Sequence, residues 1–329
     1  MITVIGEALV HLTQTSDATS LRARPGGSAL NIAVAAARLG YPVALLARLS
    51  RDLYGQQLHE YAVENGVDVS GATDADEPTA IAIDVTGTVP GAELVPGTRA
   101  RLYSGDASAR HWTPGDLSGL SAETSVLHVG SLVWQDAKAT SSVLRTTTRL
   151  RQRGALAWMD LRVYPDMMKG PAQSRILLER PLRSADIVYT GAYDIGWLYP
   201  GRPRQAVAEQ WLGLGPTMVI VGSRTGYMVL HRSGSVTHWP PPAPARLVDK
   251  AGAKETFTAV FLGALHDLAQ KGEDVKALPS PVLTHLLGMA TLAAGITCER
   301  CGADPPTAAE LEERIPRQSR RPEPPFMER

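Results

Sequence analysis

The sequence predicts an α/β protein in which a mostly parallel sheet is covered by helices on both faces. Three observations support this fold class. Short apolar runs alternate with segments of helical period, glycines follow several of those segments, and residues 78–102 contain no helical pattern. Regular alternation of strands and helices is typical of parallel sheets built from βαβ units. The helix-free stretch instead predicts a small antiparallel excursion from the main sheet.

The N-terminal elements show how each prediction is made. Residues 2–8 are an apolar run that ends in small residues, which favours a buried strand. Leu30, Val34 and Ala37 then share one face of a helix, and Gly40 suits the position just after its end.

The same criteria apply to the rest of the chain. Further strands are predicted at residues 43–49, 79–84, 126–129, 156–161, 187–190 and 217–221, with a hairpin of residues 227–231 and 235–239 around Ser233-Gly234. Further helices are predicted at residues 53–65, 137–152, 204–212, 255–270 and 282–297.

Composition excludes several classes of protein. The 33 basic residues balance the 33 acidic ones, so net charge gives no support for a nucleic acid or an anionic membrane as partner. The N-terminus lacks the basic start and cleavage site of a signal peptide, and we find no apolar run of the roughly 18 residues that a membrane helix needs. These features predict a soluble cytoplasmic protein.

The two cysteines, Cys298 and Cys301, exclude a disulfide framework. No His or Cys pair supplies the two further ligands that a zinc site would require. A redox dithiol and two ordinary helix-end thiols both remain open.

Three segments carry chemistry suited to a ligand site. Gly26-Gly27 with Asn31 combines a close-approach turn with an amide, and Asp160-Leu161-Arg162 ends a strand with a charged pair. Residues 249–255 form a small-residue turn that opens a helix, which is a favourable place for an anion. Each segment alone also fits a structural role, as a tight turn, a hydrogen-bonding loop or a helix-start charge.

Taken in order, these segments resemble the ribokinase/PfkB family of carbohydrate kinases, and fructokinases in particular. The resemblance covers residues 1–311. It is carried by Ile5-Gly6-Glu7-Ala8, by Gly26-Gly27-Ser28-Ala29-Leu30-Asn31, by Asp52 with Gly55, by Val248-Asp249 with Gly252-Ala253 and Phe257, and by Gly302-Ala303-Asp304-Pro305-Pro306.

The resemblance implies a ribokinase-like, doubly wound domain over residues 1–315 with a small β lid from about 12–24 and 78–104, and we expect residues 316–329 to be disordered. It further implies transfer of the ATP γ-phosphoryl group to a hydroxyl of a sugar or sugar acid, with ATP and Mg²⁺ as cofactors. A homodimer paired through the lid is a further expectation.

The family's functional positions fall on residues of this sequence in four groups. They are Gly252, Ala253, Lys254 and Glu255 for catalysis; His11, Gly26, Gly27, Asn31, Asp160, Arg162 and Asp249 for the substrate; Gly222, Ser223 and Thr291 for the nucleotide; and Asp194 for the metal.

Several of these positions depart from the family pattern. Glu255 replaces the catalytic aspartate, Lys254 a loop glycine and His11 a sugar-binding aspartate. Two interpretations therefore compete, namely a kinase with a substituted base and a degenerate kinase fold that binds a ligand or partner or has been recruited to other chemistry.

The substitutions also change the charge of the predicted pocket. Since His11, Arg162 and Lys254 each add positive or remove negative charge, while Tyr164 replaces an arginine, the pocket is expected to prefer an anionic ligand. Neutral drift explains the same changes.

Overall fold

Three sheets organise the chain in the computed structural model, which describes residues 1–14, 20–84, 100–103, 105–135, 137–273 and 278–315. In chain order the strands are β1 (Ile2–Ile5), β2 (Leu9–Gln14), β3 (Leu21–Gly26), β4 (Val43–Leu46), β5 (Arg48–Ser50), β6 (Thr73–Ala75), β7 (Ile81–Asp84), β8 (Ala100–Tyr103), β9 (Val126–Val129), β10 (Leu156–Leu161), β11 (Ile187–Gly191), β12 (Met218–Ser223), β13 (Gly226–His231) and β14 (Val236–Trp239).

The α-helices among the described residues are α1 (Ser28–Arg38), α2 (Leu53–Glu64), α3 (Ala137–Gln152), α4 (Pro171–Ser184), α5 (Ala192–Leu198), α6 (Arg204–Leu212), α7 (Ala253–Gln270), α8 (Ser280–Cys298) and α9 (Ala308–Arg314). The predicted tail at residues 316–329 and parts of the two predicted lid segments lie outside the described residues.

The main sheet has eight strands in the order β14-β13-β12-β11-β10-β9-β1-β4. Six neighbouring strands of this sheet pair in parallel, namely β4, β1, β9, β10, β11 and β12. Strands β13 and β14 add two antiparallel pairings at one edge. Helices α1, α7 and α8 cover one face and helices α3 to α6 cover the other, each with its own apolar core. This arrangement confirms the predicted α/β class.

A separate sheet of four strands has the order β3-β2-β7-β8. It lies in the part of the chain where the lid was predicted, and β7 pairs with β8 antiparallel as expected for the helix-free stretch. The resemblance placed part of the lid at about 12–24, but β2 and β3 were not among the strands predicted from apolar runs. Strand β3 forms no such run, because it is largely exposed and alternates Leu21 and Ala23 with arginines. The predicted strand 43–49 is divided into β4 and β5, and β5 pairs with β6 in a two-stranded sheet.

Among the described helices, α8 is long and apolar enough by length and average hydropathy to cross a membrane, although polar residues such as Thr284 and His285 interrupt its apolar run. It packs against α7, and 61% of its apolar window is buried inside the fold. Its apolar length is therefore explained by its place in the core.

His128 is a buried polar residue in the middle of the main sheet. It is 0% exposed on β9, and neither ring nitrogen has a hydrogen-bond partner among the described residues. Burial, with a smaller contribution from Lys254, lowers the pKa of His128 to about 4, although the carboxylates of Asp160 and Glu255 oppose the shift. The imidazole is therefore neutral in the folded protein at neutral pH.

This burial predicts a pH-dependent cost to stability. A histidine in the unfolded chain takes up a proton near pH 6.5, whereas His128 in the folded protein does so only near pH 4. The free energy of unfolding is therefore unaffected by His128 above pH 6.5 and decreases as the pH falls from 6.5 to about 4. Replacing His128 with Leu should reduce the loss of unfolding free energy between pH 7 and pH 5 by roughly 1–2 kcal/mol, measured by denaturant titration. The matched control is His59→Leu at an exposed histidine of α2. An unchanged pH dependence in His128→Leu would contradict this explanation.

Candidate active site

The candidate site lies at the carboxyl ends of the central parallel strands. Strand β1 has β4 on one side and β9 on the other, so the chain winds in opposite directions from this point. Open α/β sheets bind ligands in the crevice beyond such a reversal. The ends of β1 and β10 and the first turns of α1 and α7 meet here.

Gly27 brings α1 close to the end of β1. Its φ is +103°, and an ideal Cβ at this position would lie 2.5 Å from the backbone oxygen of Glu7. Only glycine accepts both the left-handed backbone and this approach. The turn thereby directs the backbone N–H of Ser28 onto Glu7 Oε1 at 3.1 Å. Of the other predicted substrate residues, Gly26 ends β3 and Asn31 lies half-buried in the first turn of α1.

A loop of residues 249–252 fixes the start of α7. The Asp249 carboxylate accepts hydrogen bonds from the backbone N–H of Ala251 at 3.0 Å and of Gly302 at 2.9 Å. Gly252 follows at φ +79°, where a Cβ would lie 2.7 Å from the Cβ of Ala303. Asp249 thus anchors the loop in this structure, and substrate contact by Asp249 stays a prediction.

Four side chains form one connected cluster, here named the site cluster: Ser28, Asp160, Lys254 and Glu255. Lys254 Nζ donates to Asp160 Oδ2 at 2.5 Å and to Ser28 Oγ at 2.8 Å, and it lies 3.1 Å from Glu255 Oε1. The Ser28 hydroxyl in turn donates to Glu255 Oε1 at 3.0 Å.

Pairing within the site cluster decides its charge states. Burial alone would raise the pKa of Asp160 and of Glu255, but Lys254 and, to a smaller extent, Arg162 lower both pKa values below their ordinary range. Burial opposes the charge on Lys254, yet Asp160 and Glu255 raise the pKa of Lys254. Both carboxylates and the ammonium group are therefore charged at neutral pH.

Lys254 is not the free cation that the sequence suggested. Its side chain is 21% exposed and its ammonium group lies against two carboxylates, one of them only 3% exposed. The charge that Lys254 adds is thus compensated inside the protein. The expectation of an anion-preferring pocket loses one of its three supporting residues.

Glu7 lies beneath the site cluster at the end of β1. Its Oε2 is buried without a hydrogen-bond partner among the described residues, and burial raises the pKa of Glu7. Glu7 Oε2 and the two ring nitrogens of His128 are thus buried polar atoms near the site cluster that have no hydrogen-bond partner among the described residues. We did not predict roles for Glu7 or Ser28, although both lie in the quoted motifs. Their positions next to a strand end and a Gly-Gly turn were the available signal.

Arg162 follows β10 and is exposed. Its pKa is raised, most by Tyr164 and then by the carboxylates of Asp194, Glu255 and Asp160, which places a permanent positive charge beside the site cluster.

Asp194, the predicted metal residue, has a structural role in the described residues. Its Oδ1 accepts from the backbone N–H of Val163 at 2.9 Å and its Oδ2 from that of Gly191 at 2.8 Å, which begins α5. No group of three or more His, Cys, Asp or Glu side chains that could hold a metal ion occurs among the described residues. The residues around Asp194 therefore do not fit a magnesium site by themselves.

The three predicted nucleotide residues lie on β12 and α8. Gly222 is at the end of β12, where a Cβ would lie 2.2 Å from the hydroxyl of Tyr189. The Ser223 hydroxyl donates to the Gly226 carbonyl oxygen at 2.9 Å within the β12–β13 turn. Thr291 donates to the Leu287 carbonyl oxygen of its own helix, so contact between these residues and a nucleotide stays a prediction.

The first turn of α7 provides the feature that does fit a phosphate. Gly252 and Ala253 begin this helix beside the site cluster, and first-turn N–H groups of a helix have no partner within the helix. Such N–H groups together with the helix dipole favour phosphate oxygens.

The small sheet contacts the C-terminal loop beside this site. Arg24 on β3 donates to the carbonyl oxygen of Cys301 at 2.7 Å and lies 3.1 Å from its Sγ. His11 on β2 pairs in register with Arg24. Both cysteines are free thiols, with Cys298 buried at the end of α8 and Cys301 exposed.

Comparison with known proteins identifies the family. The model of the pfkB family of carbohydrate kinases matches residues 1–309. The chain belongs to the pfkB carbohydrate kinase family. This match confirms the resemblance and the expected class of enzyme, a sugar kinase that uses an alcohol group as acceptor.

Relatives and structures of this family agree with the assignment. The chain is 26% identical to fructokinase from Klebsiella pneumoniae over 268 residues, which is 80% of this chain and 84% of that one. The fold matches fructokinase with bound ATP from Xylella fastidiosa with a TM-score of 0.81 at 22% identity, over 95% and 97% of the two chains. It also matches aminoimidazole riboside kinase from Salmonella enterica, complexed with aminoimidazole riboside and an ATP analog, with a TM-score of 0.75 at 23% identity, over 95% and 98%.

The geometry of Gly252 predicts that replacing this glycine lowers both the stability and the turnover of this kinase. Gly252→Ala should lose stability from left-handed strain of about 1–2 kcal/mol and also displace the start of α7 from Ala303, which weakens ATP-dependent turnover. The matched control is Gly272→Ala, which follows α7 at φ +70° with nothing within 4 Å of the added Cβ, so it should carry only the strain. Unfolding free energy and turnover are measured for both variants. Equal effects of the two substitutions would contradict a close approach at Gly252.

Proposed function

We propose that the protein is an ATP-dependent kinase of the fructokinase type, which transfers the γ-phosphoryl group to a hydroxyl of a neutral sugar. One observation carries this proposal. The Glu255 carboxylate is held ionised in the first turn of α7, at the strand ends where ligands bind in such sheets. Membership of the pfkB family supports the same reaction class.

The chemistry assigned to Glu255 is that of a general base. Its carboxylate accepts the proton of the acceptor hydroxyl while that oxygen bonds to the γ-phosphorus and the bond to the leaving ADP breaks. Phosphoryl transfer depends mainly on positioning and on stabilising the charge of the transferring group. The first turn of α7 supplies backbone N–H groups for this purpose.

A neutral acceptor fits the charges better than an anionic one. Lys254 is balanced by Asp160 and Glu255, which leaves Arg162 as the cation exposed beside the site cluster. A phosphate or carboxylate on the acceptor would approach two ionised carboxylates together with these two cations. The fructokinase relatives support a ketose such as fructose, and a riboside is the second candidate because of the similarity to aminoimidazole riboside kinase.

We also propose Mg²⁺ as the ion that accompanies ATP. Because the described residues offer no cluster of metal ligands, the nucleotide phosphates and water would supply most of its coordination, as is usual for this ion. The alternative of a binding protein without phosphoryl transfer is not favoured by the family match.

The β3-β2-β7-β8 sheet is proposed as the lid of a single domain over residues 1–315. The contact of Arg24 with Cys301 supports this, since it joins the sheet to the main body beside the site. Pairing of two copies through the lid remains a proposal, as do a cytoplasmic location and the absence of nucleic acid or membrane partners.

Glu255 provides the test of this function. With ATP, Mg²⁺ and a panel containing fructose, ribosides, fructose phosphates and sugar acids, the parent should release ADP fastest with a neutral sugar. Glu255→Gln removes the proton acceptor and should reduce turnover at least about a hundred-fold. Glu255→Asp keeps the carboxylate and should retain or raise turnover.

The control is Glu312→Gln at an exposed glutamate of α9, which should leave the rate unchanged. Undiminished turnover in Glu255→Gln would remove Glu255 from the reaction. Equal rates with fructose and its phosphates would argue against a neutral acceptor. ADP release that no member of the panel stimulates would contradict the kinase function itself.

A further inference from the structure

We propose that Lys254 is a positioning residue for the base: anchored by Asp160 and Ser28, it holds Oε1 of Glu255, so that Oε2 is the oxygen that takes the acceptor's proton. This inference rests on the proposed function, because it assigns a partner to the base named there.

The hydrogen-bond geometry fixes which oxygen is held. The Lys254 ammonium group donates hydrogen bonds to Asp160 Oδ2 at 2.5 Å and to Ser28 Oγ at 2.8 Å, and it forms an ion pair with Glu255 Oε1 at 3.1 Å. The Ser28 hydroxyl donates its proton to the same Oε1 of Glu255 at 3.0 Å. Both side-chain contacts of Glu255 therefore fall on one carboxylate oxygen.

Asp160 keeps Lys254 in this position. Its side chain is 3% exposed at the end of β10, so a charged carboxylate there needs a cation, and Lys254 Nζ is the group in contact with it. Ser28 is fixed separately, because its backbone N–H is bonded to Glu7. Lys254 is thus tied to the sheet and to α1 at once, and it orients the neighbouring side chain on α7.

Removing Lys254 should change the protonation of Glu255 in a known direction. The charged or titratable groups that interact with Glu255 are Lys254 on α7, Arg162 after β10, His128 on β9, Tyr189 on β11 and Tyr227 on β13. Asp160 at the end of β10 shares the Lys254 ammonium group with Glu255. Lys254 lowers the pKa of Glu255 more than Arg162 does. Without Lys254 the adjacent positive charge and its contact are lost, so the pKa of Glu255 rises.

The test is a direct titration of Glu255 that does not depend on turnover. Protein labelled with ¹³C at the glutamate carboxyl carbons is titrated by NMR, and the Glu255 signal is the one missing from Glu255→Gln. Lys254→Met should raise its midpoint by about one to three pH units, as expected for loss of an adjacent opposite charge. The acid limb of the pH profile of kcat/KM should move the same way. Lys271→Met, at the other end of α7, is the matched control and should leave both unchanged.

A second pair of variants covers the case in which Lys254→Met does not fold because Asp160 has lost its partner. Asp160→Asn with Lys254→Met removes both charges, and it is compared with Asp160→Asn alone. The Glu255 midpoint should be higher in the double variant than in the single one. An equal midpoint in folded protein with and without Lys254 would overturn the inference. Failure of the proposed function is seen separately, as undiminished turnover in Glu255→Gln.

Discussion

The ion pair between Lys254 and Asp160 is the interaction on which the arrangement of the site depends. A carboxylate that is almost completely buried at a strand end is stable in its charged form only if a cation lies against it. Lys254 supplies that cation from the first turn of α7, and in doing so it fixes the side chain of the adjacent Glu255. The same lysine thus neutralises the buried carboxylate of Asp160 and positions the proposed base.

Backbone geometry makes this pairing possible. Gly27 and Gly252 both adopt positive φ, and each lets the start of a helix approach neighbouring backbone more closely than a side chain would allow. As a result α1 presents Ser28 and α7 presents Lys254 to the same strand ends. The loop before α7 is held by Asp249, so a residue predicted to contact the substrate also maintains the position of the helix that carries the proposed base.

The sequence was sufficient to predict the parallel sheet and its two helical layers, because apolar strands and helical periods are local patterns. Helix α4 was missed since Pro181 lies inside it, although its buried residues Ser174, Leu178 and Leu182 do follow a helical spacing. The contact of Lys254 with Asp160 joins residues 94 positions apart, and no local pattern reports such a pairing. For that reason Lys254 looked like added positive charge, whereas the fold neutralises it.

A double-mutant cycle on Lys254 and Asp160 tests this account most directly. Unfolding free energies at pH 7 are measured for the parent, Lys254→Met, Asp160→Asn and the double variant. If the buried pair organises the site, Lys254→Met should cost about 3–5 kcal/mol by leaving Asp160 unpaired, and the double variant should be clearly more stable than the sum of the single effects allows. Single effects that add within about 0.5 kcal/mol would show that the two side chains are not coupled and would contradict the account.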